Sequence, residues 1–279
     1  MEDRQKLTSM TKIIIKIGTS SLTQENGMID CQKIDRVTEI LSELRKQGKK
    51  VILVTSGAIA VGASKMGYTQ RPSSLPEKQA LAAIGQAELI NMYARSFDRF
   101  GQMVAQVLLT KDGITNPMRR DNTRNTLNTL LDMNIIPIIN ENDSVATDEI
   151  EIGDNDTLSA YTAVIVDAEL LIILSDIDGM YTDDPKKNPD AKIIYKVPEL
   201  TKEIEEMASG AGSAFARGGM VTKISAAKLC VNNGTDMVIC KGDDPAIVHQ
   251  VLSGEQIGTL FLSKFMTDPH GKKRYFFLG

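Results

Sequence analysis

Short unbroken apolar runs alternate along the chain with longer stretches of helical spacing. The runs are residues 13–17 (IIIKI), 50–57 (KVILVTSG), 102–110 (QMVAQVLLT), 135–140 (IIPIIN), 170–176 (LLIILSD) and 236–240 (DMVIC). Most are apolar at consecutive positions, the pattern of strands buried on both faces. Between them, residues 30–47 place Ile34, Val37, Ile40, Leu41 and Leu44 at helical spacing, and Gly48 closes the segment. Helices are likewise predicted over 76–100, around 122–133, from about 156, and over 221–232. The alternation predicts an α/β fold with a mostly parallel sheet covered by helices on both sides. No Pro-, Gly- or Ser-rich linker divides the chain and no solenoid repeat is present. Two polar insertions, 141–155 and 181–199, follow directly after strands, at the carboxyl ends where parallel sheets bind ligands.

The predicted strand ends carry similar residues: Lys16-Ile17-Gly18-Thr19, Thr55-Ser56-Gly57-Ala58, Asn140-Glu141-Asn142-Asp143 and Ser175-Asp176. Any one of these reads as an ordinary turn. Four together predict one polar edge shared by a ligand. Lys16 stands out, because a lysine within an isoleucine strand needs either a partner or a route to water. Neither a Walker loop nor a Rossmann glycine motif is present: Gly48-Lys49 and Gly271-Lys272 do not complete the first, and Gly210-Ala211-Gly212 fails the second at Phe215. The segment ARGGMVTKISAAK sets Gly218 and Gly219 before a helix carrying Lys223 in its first turn. That arrangement suits a phosphate, and it equally suits a simple helix cap. In EIGDNDTLSA, one of Asp154 and Asn155 suffices as a cap and Asp156 favours the first turn, which leaves at least one polar side chain for a ligand or a lysine.

Composition narrows the classes. With 279 residues there is ample core for one large domain or two small ones. A net charge of −4 argues against general nucleic-acid binding. No apolar run is long enough to span a bilayer, and the polar N-terminus is unlike a signal peptide. Cys31, Cys230 and Cys240 lack CxxC spacing, so neither disulfides nor a zinc site are indicated, and a reduced cytoplasmic setting is expected. His249 and His270 stand apart from other candidate ligands.

In order along the chain, IIIKIGTSSL, VTSGAIAVG, INENDSVATDEIEIGDNDTLSA, LSDIDGMYTDDP and GGMVTKISAAK resemble the amino acid kinase family, and within it the glutamate 5-kinase branch. The resemblance runs from near residue 12 to GTLF at 258–261 and implies a three-layer αβα sandwich. It implies ATP-dependent phosphorylation of the γ-carboxylate of L-glutamate to glutamyl 5-phosphate, the first step of proline synthesis, with Mg²⁺ held mainly by the ATP phosphates rather than by protein ligands. It assigns Lys16, Lys223 and Asp156 to catalysis, with Asp156 holding the two lysines. It assigns Ser56, Gly57, Asp143 and Asn155 to glutamate. For ATP it assigns Lys16, Gly18, Ser175, Asp176 and the segment Arg217, Gly218, Gly219, Met220, Val221, Thr222 and Lys223. The family pattern usually has Thr where this chain has Arg217. The resemblance further implies a homo-oligomer, feedback inhibition by proline and transient contact with glutamyl phosphate reductase, with no nucleic acid or membrane partner. Kinase-domain residues are expected over 1–263 and a tail over 264–279, with no room for the pseudouridine-synthase-type RNA-binding-like domain that many bacterial members carry.

The chemistry is consistent with this residue set. A glutamate side chain, with a pKa of about 4.3, is already ionised at neutral pH, so no general base is required. The barrier is the approach of two anions, which calls for fixed positive charge. Asp148, Glu149 and Glu151 read as a solvated loop. Three rivals remain open: a sibling kinase with another acceptor, a metal-dependent hydrolase using Asp143, Asp154 and Asp156, and a non-catalytic amino-acid sensor.

Overall fold

The computed structural model describes residues 2–24, 28–70, 72–145, 155–185, 187–209 and 219–263. A short helix α1 (Glu2–Gln5) and a 3-10 turn (Lys6–Ser9) lead into β1 (Lys12–Ile17), α2 (Thr19–Leu22), α3 (Cys31–Lys46) and β2 (Lys50–Val54). There follow α4 (Ala58–Lys65), α5 (Leu75–Asp98), β3 (Val104–Leu109), α6 (Lys111–Thr115), α7 (Pro117–Asp132) and β4 (Ile136–Glu141). The second half contains α8 (Asn155–Ile165), β5 (Leu170–Ser175), β6 (Lys196–Val197), α9 (Lys202–Ser209), α10 (Gly219–Asn232), β7 (Asp236–Lys241), α11 (Ile247–Leu252) and β8 (Thr259–Phe261).

The eight strands form one sheet in the order β3-β4-β2-β1-β5-β7-β8-β6. Among the described residues every pairing is parallel except β7 with β8. The expected α/β class is therefore observed. Strand β1 lies at the centre, with Lys16 level with Val54 of β2 on one side and Ile173 of β5 on the other.

The two-residue period of β1 splits its isoleucines between two cores. Ile13, Ile15 and Ile17 pack with Ile34 and Leu41 of α3, Leu89 and Phe97 of α5, and Val251 of α11. Ile14 faces the opposite layer, with Leu127 of α7, Leu158 of α8 and Ile224 of α10. Lys16 shares the face of Ile14, so it emerges at the strand end beneath α8 and α10.

Local chemistry sets the element ends. Asp30 caps α3 by accepting from the Gln32 amide. The helix expected near 122 begins at Pro117, where Asn116 caps the Arg119 amide and proline occupies the first turn. Helix α4 lies where the pattern showed only a strand end. It starts at once after Gly57, whose φ of 103° is a left-handed turn suited to glycine. Helix α5 then crosses α4 at backbone contact: a Cβ on Gly85 would lie 1.8 Å from the Ala58 carbonyl oxygen, and one on Gly62 would lie 2.0 Å from that of Leu81. The short β6, α9, α11 and β8 were also not anticipated. They have too few residues for a periodic signal, although β6 and a Tyr181–Ile193 bridge give structure to the 181–199 insertion.

Candidate active site

The carboxyl ends of β2, β1 and β5 and the starts of α8 and α10 converge at one edge of the sheet. There Asp156, in the first turn of α8, meets two lysines. Its Oδ1 is 2.6 Å from Lys16 Nζ and its Oδ2 is 3.0 Å from Lys223 Nζ. Asp156 is fully buried, while Lys16 and Lys223 are 4% and 5% exposed. This is therefore a desolvated ion cluster, in which charge acts far more strongly than at the surface. Burial alone would raise the Asp156 pKa. The adjacent Lys16 and Lys223 more than offset that and hold the carboxyl below the usual range. A depressed carboxylate with both oxygens against ammonium groups is a poor base and a good clamp.

Helix α10 supplies Lys223 as its fifth residue, one turn beyond its start, and Lys223 Nζ also donates to the Gly219 carbonyl at 3.2 Å. Thr222 Oγ1 lies 3.5 Å from Asp156 Oδ2 and donates to Gly219 O at 3.1 Å. A Cβ on Gly18 would come within 3.4 Å of Lys16 Nζ, so glycine there leaves the lysine head uncrowded. At the end of β5, Ser175 Oγ donates to Asp176 Oδ1 at 3.0 Å and the Ser175 carbonyl accepts from the Gly242 amide, beside an exposed Asp176. Around Gly219 the Cβ position meets open space. Met220 packs on the core below, while Val221 is exposed. Arg217, Gly218, Asp154 and the acidic residues 148–151 lie outside the described residues, as does the tail from 264.

On the other side of β1 the site is built from amides. Asn155 Nδ2 lies 2.6 Å from the Thr55 carbonyl, 2.6 Å from Ser56 Oγ and 2.9 Å from Asn140 Oδ1, and shares its two N–H groups among these three acceptors. The Asn155 amide N–H groups are therefore engaged within the protein. Those hydrogens tie the ends of β2 and β4 together, leaving its carbonyl oxygen as the group available to a ligand. Asn140 in turn donates to Gln86 Oε1 at 2.7 Å, and Thr55 Oγ1 pairs with the buried Tyr93 hydroxyl at 2.9 Å.

A cavity of about 270 Å³ opens beside this net, walled by Ala58, Ala82, Gln86, Leu108, Glu141 and Asp143, among others. Burial raises the Asp143 carboxyl above its ordinary pKa, and no cation or hydrogen-bond donor among the described residues meets it. The lysine cluster is not among the cavity walls. The structure thus brings Lys16, Asp156 and Lys223 together, and Ser56 with Asn155. Asp143 belongs to the neighbouring cavity, joined to them through Asn140 and Gln86. Gln86 was missed from sequence. Its only signal is a glutamine that follows Gln79 by two helical turns on the small-residue face of QALAAIGQA.

Among the described residues no group of three or more acidic, histidine or cysteine side chains is placed to hold a metal, and no helix is long and apolar enough to cross a membrane. Asp156 is engaged on both oxygens by lysines, which disfavours the metal-hydrolase arrangement. A basic, anion-seeking edge fits Mg²⁺ carried in on nucleotide phosphates, since Mg²⁺ commonly keeps several waters and one or two phosphate or carboxylate ligands.

Residues 11–241 match the model of the amino acid kinase family. The chain belongs to that family. The glutamate 5-kinase of Listeria monocytogenes EGD-e is 49% identical over 265 residues, covering 94% of this chain and 96% of that protein. The Clostridium perfringens glutamate 5-kinase is 47% identical, with 94% and 98% covered. Among solved structures, a carbamate kinase from Giardia lamblia bound to AMP-PNP superposes with a TM-score of 0.66 at 16% identity, covering 92% of this chain and all of that one. That likeness establishes the amino acid kinase fold and leaves the choice of acceptor to the residues of the site.

Proposed function

We infer that this amino acid kinase transfers the γ-phosphoryl group of ATP to the side-chain carboxylate of L-glutamate, giving glutamyl 5-phosphate. The observation that carries the reading is the contrast across β1. On one side, two buried ammonium groups share the single carboxylate of Asp156. On the other, Asp143 is a half-buried carboxylate with no cation beside it among the described residues. The first arrangement suits a phosphate chain, and the second suits the ammonium of an amino acid. The sequence relatives, glutamate 5-kinases matched over almost their whole length, support glutamate as that amino acid.

Glutamate's ammonium pairs with Asp143, and the Asn155 carbonyl oxygen accepts a further hydrogen bond. The first-turn amides of α4, which have no side-chain cap, suit the α-carboxylate beside Ser56 and Gly57. The γ-carboxylate then points toward Lys16. Its oxygen forms a bond to the γ-phosphorus as the bond from that phosphorus to the bridging oxygen breaks, and the electron pair leaves on ADP. Lys16 and Lys223 neutralise charge on the equatorial oxygens, and Asp156 keeps both ammonium groups aimed without taking a proton. Mg²⁺ held by the ATP phosphates would supply further charge neutralisation when bound. Gly18, Ser175, Asp176 and the 217–223 segment are assigned to the nucleotide.

The test is ATP-dependent hydroxamate formation, in which hydroxylamine traps an acyl phosphate. L-Glutamate is expected to give hydroxamate and ADP in equal amounts. ADP release with a different acceptor, and none with glutamate, would point to the sibling-kinase reading. Ligand-induced thermal stabilisation without turnover would point to the sensor. From the family resemblance we also carry forward a cytoplasmic homo-oligomer, a kinase domain over 1–263 with a tail over 264–279, feedback inhibition by proline, and transient contact with the reductase that consumes the acyl phosphate.

A further inference from the structure

Three side chains, those of Asn155, Asn140 and Gln86, form a directed chain of hydrogen bonds across the acceptor half of the site, and backbone groups fix the direction of every link. The Thr55 carbonyl can only accept, so Asn155 must present its Nδ2 there. That Nδ2 also reaches Asn140 Oδ1, which accepts from the Glu141 backbone N–H at 2.9 Å as well. With its oxygen so occupied, Asn140 has only its Nδ2 to give to residue 86. Residue 86 must therefore answer with an acceptor, and Gln86 Oε1 does so at 2.7 Å. Asn140 is 2% exposed and Asn155 is 9% exposed, so water is a poor substitute for either partner.

The far end of the chain is held rigidly. Gly85, next to Gln86, is pressed on the Ala58 carbonyl at the start of α4, so α5 cannot shift without moving the turn at Gly57. Around Gln86 the cavity wall of α5 is otherwise alanine, namely Ala82, Ala83 and Ala87. Gln86 is the one polar side chain that α5 contributes to this wall.

We propose that Gln86 is a positioning residue for the amino-acid acceptor, acting as the terminal hydrogen-bond acceptor that orients Asn140 and through it Asn155. The proposal rests on the acceptor half being the glutamate site. Its requirement is specific: the position needs an acceptor at the length of glutamine, and glutamate meets it, whereas methionine and asparagine do not. Methionine keeps the bulk and loses the acceptor. Asparagine keeps the amide and withdraws it by one methylene.

The test is steady-state kinetics of wild type, Gln86→Met, Gln86→Asn and Gln86→Glu, with melting temperatures recorded alongside. In Gln86→Met and Gln86→Asn, KM for glutamate is expected to rise roughly tenfold, the size of one net hydrogen bond. KM for ATP is expected to hold within twofold, and kcat to fall less than KM rises. Gln86→Glu is expected to restore KM for glutamate to within about threefold of wild type. An unchanged KM for glutamate in Gln86→Met overturns the proposal. So does an equal rise in Gln86→Glu, because the acceptor would then not be what matters. If Gln86→Met fails to fold, the comparison of Gln86→Asn with Gln86→Glu decides by the same criteria. A wild-type enzyme inactive on glutamate overturns this inference together with the function, whereas an active wild type with a normal Gln86→Met overturns this inference alone.

Discussion

The two halves of the sheet edge, divided at β1, solve different problems with different materials. Toward β2 and β4 the site is a net of neutral amides and hydroxyls ending in a carboxylate, Asp143, that meets no cation among the described residues. Toward β5 and β7 it is a buried ion cluster continued by a helix start and by small polar residues at strand ends. Neutral hydrogen bonds fix geometry at little electrostatic cost, which suits recognition of one particular zwitterion. Buried charges act at full strength on a developing negative charge, which suits phosphoryl transfer. Lys16, on the central strand, is the point where the two meet.

The division predicts which parameter each residue controls. The largest effect is expected from Asp156→Ala. It leaves two buried lysines facing each other, a loss of about 3–5 kcal/mol in stability by denaturant unfolding together with near-abolished turnover. Stability close to wild type would show that the lysines find other partners. Next, Lys223→Ala is expected to lower kcat by roughly 10²–10³ with little change in KM for glutamate, because one electrostatic stabiliser of the transition state is lost. Asp143→Asn should raise KM for glutamate at least tenfold and leave KM for ATP nearly unchanged, since a desolvated ion pair with the ammonium is removed.

The smallest effects concern pH, and the two carboxylates have opposite signs. The Asp143 pKa is raised by burial, so its ionisation costs stability, and that cost grows as pH rises through its folded pKa. Glutamate binding needs the ionised form, so KM for glutamate should fall as pH rises past that value, and Asp143→Asn should flatten the profile. The Asp156 pKa is depressed, so its contribution is complete above about pH 4–5 and is lost as pH falls through its folded pKa. An acid unfolding transition that keeps its midpoint in Asp156→Asn would contradict this.

The fold was largely legible because its strands are continuous apolar runs. Residues 13–17 and 170–176 lie close to β1 and β5, and the lysine in the first was rightly marked as needing a partner. Helix α4 was not legible, since AIAVGASK follows a strand with no polar stretch between and its start depends on one left-handed glycine. The ion cluster was legible as residues, and its geometry confirms that Lys16, Asp156 and Lys223 meet. The amide net was legible only in part. Ser56, Asn140 and Asn155 sit at strand or helix ends where polar residues attract notice. Gln86 sits mid-helix, where its spacing to Asn140 exists only after folding. Hydrogen-bond direction at Asn155 was not legible, because it is set by the Thr55 carbonyl, a backbone group that side-chain patterns do not reveal.

The measurement that tests the central division most directly is a double-mutant cycle between Asp143→Asn and Lys223→Ala, read as kcat/KM for glutamate at saturating ATP. Two halves with separate jobs predict that the double variant loses the product of the two single losses, with coupling below about 0.5 kcal/mol. A double variant no worse than the poorer single variant would contradict the account, because the two residues would then be acting as one unit.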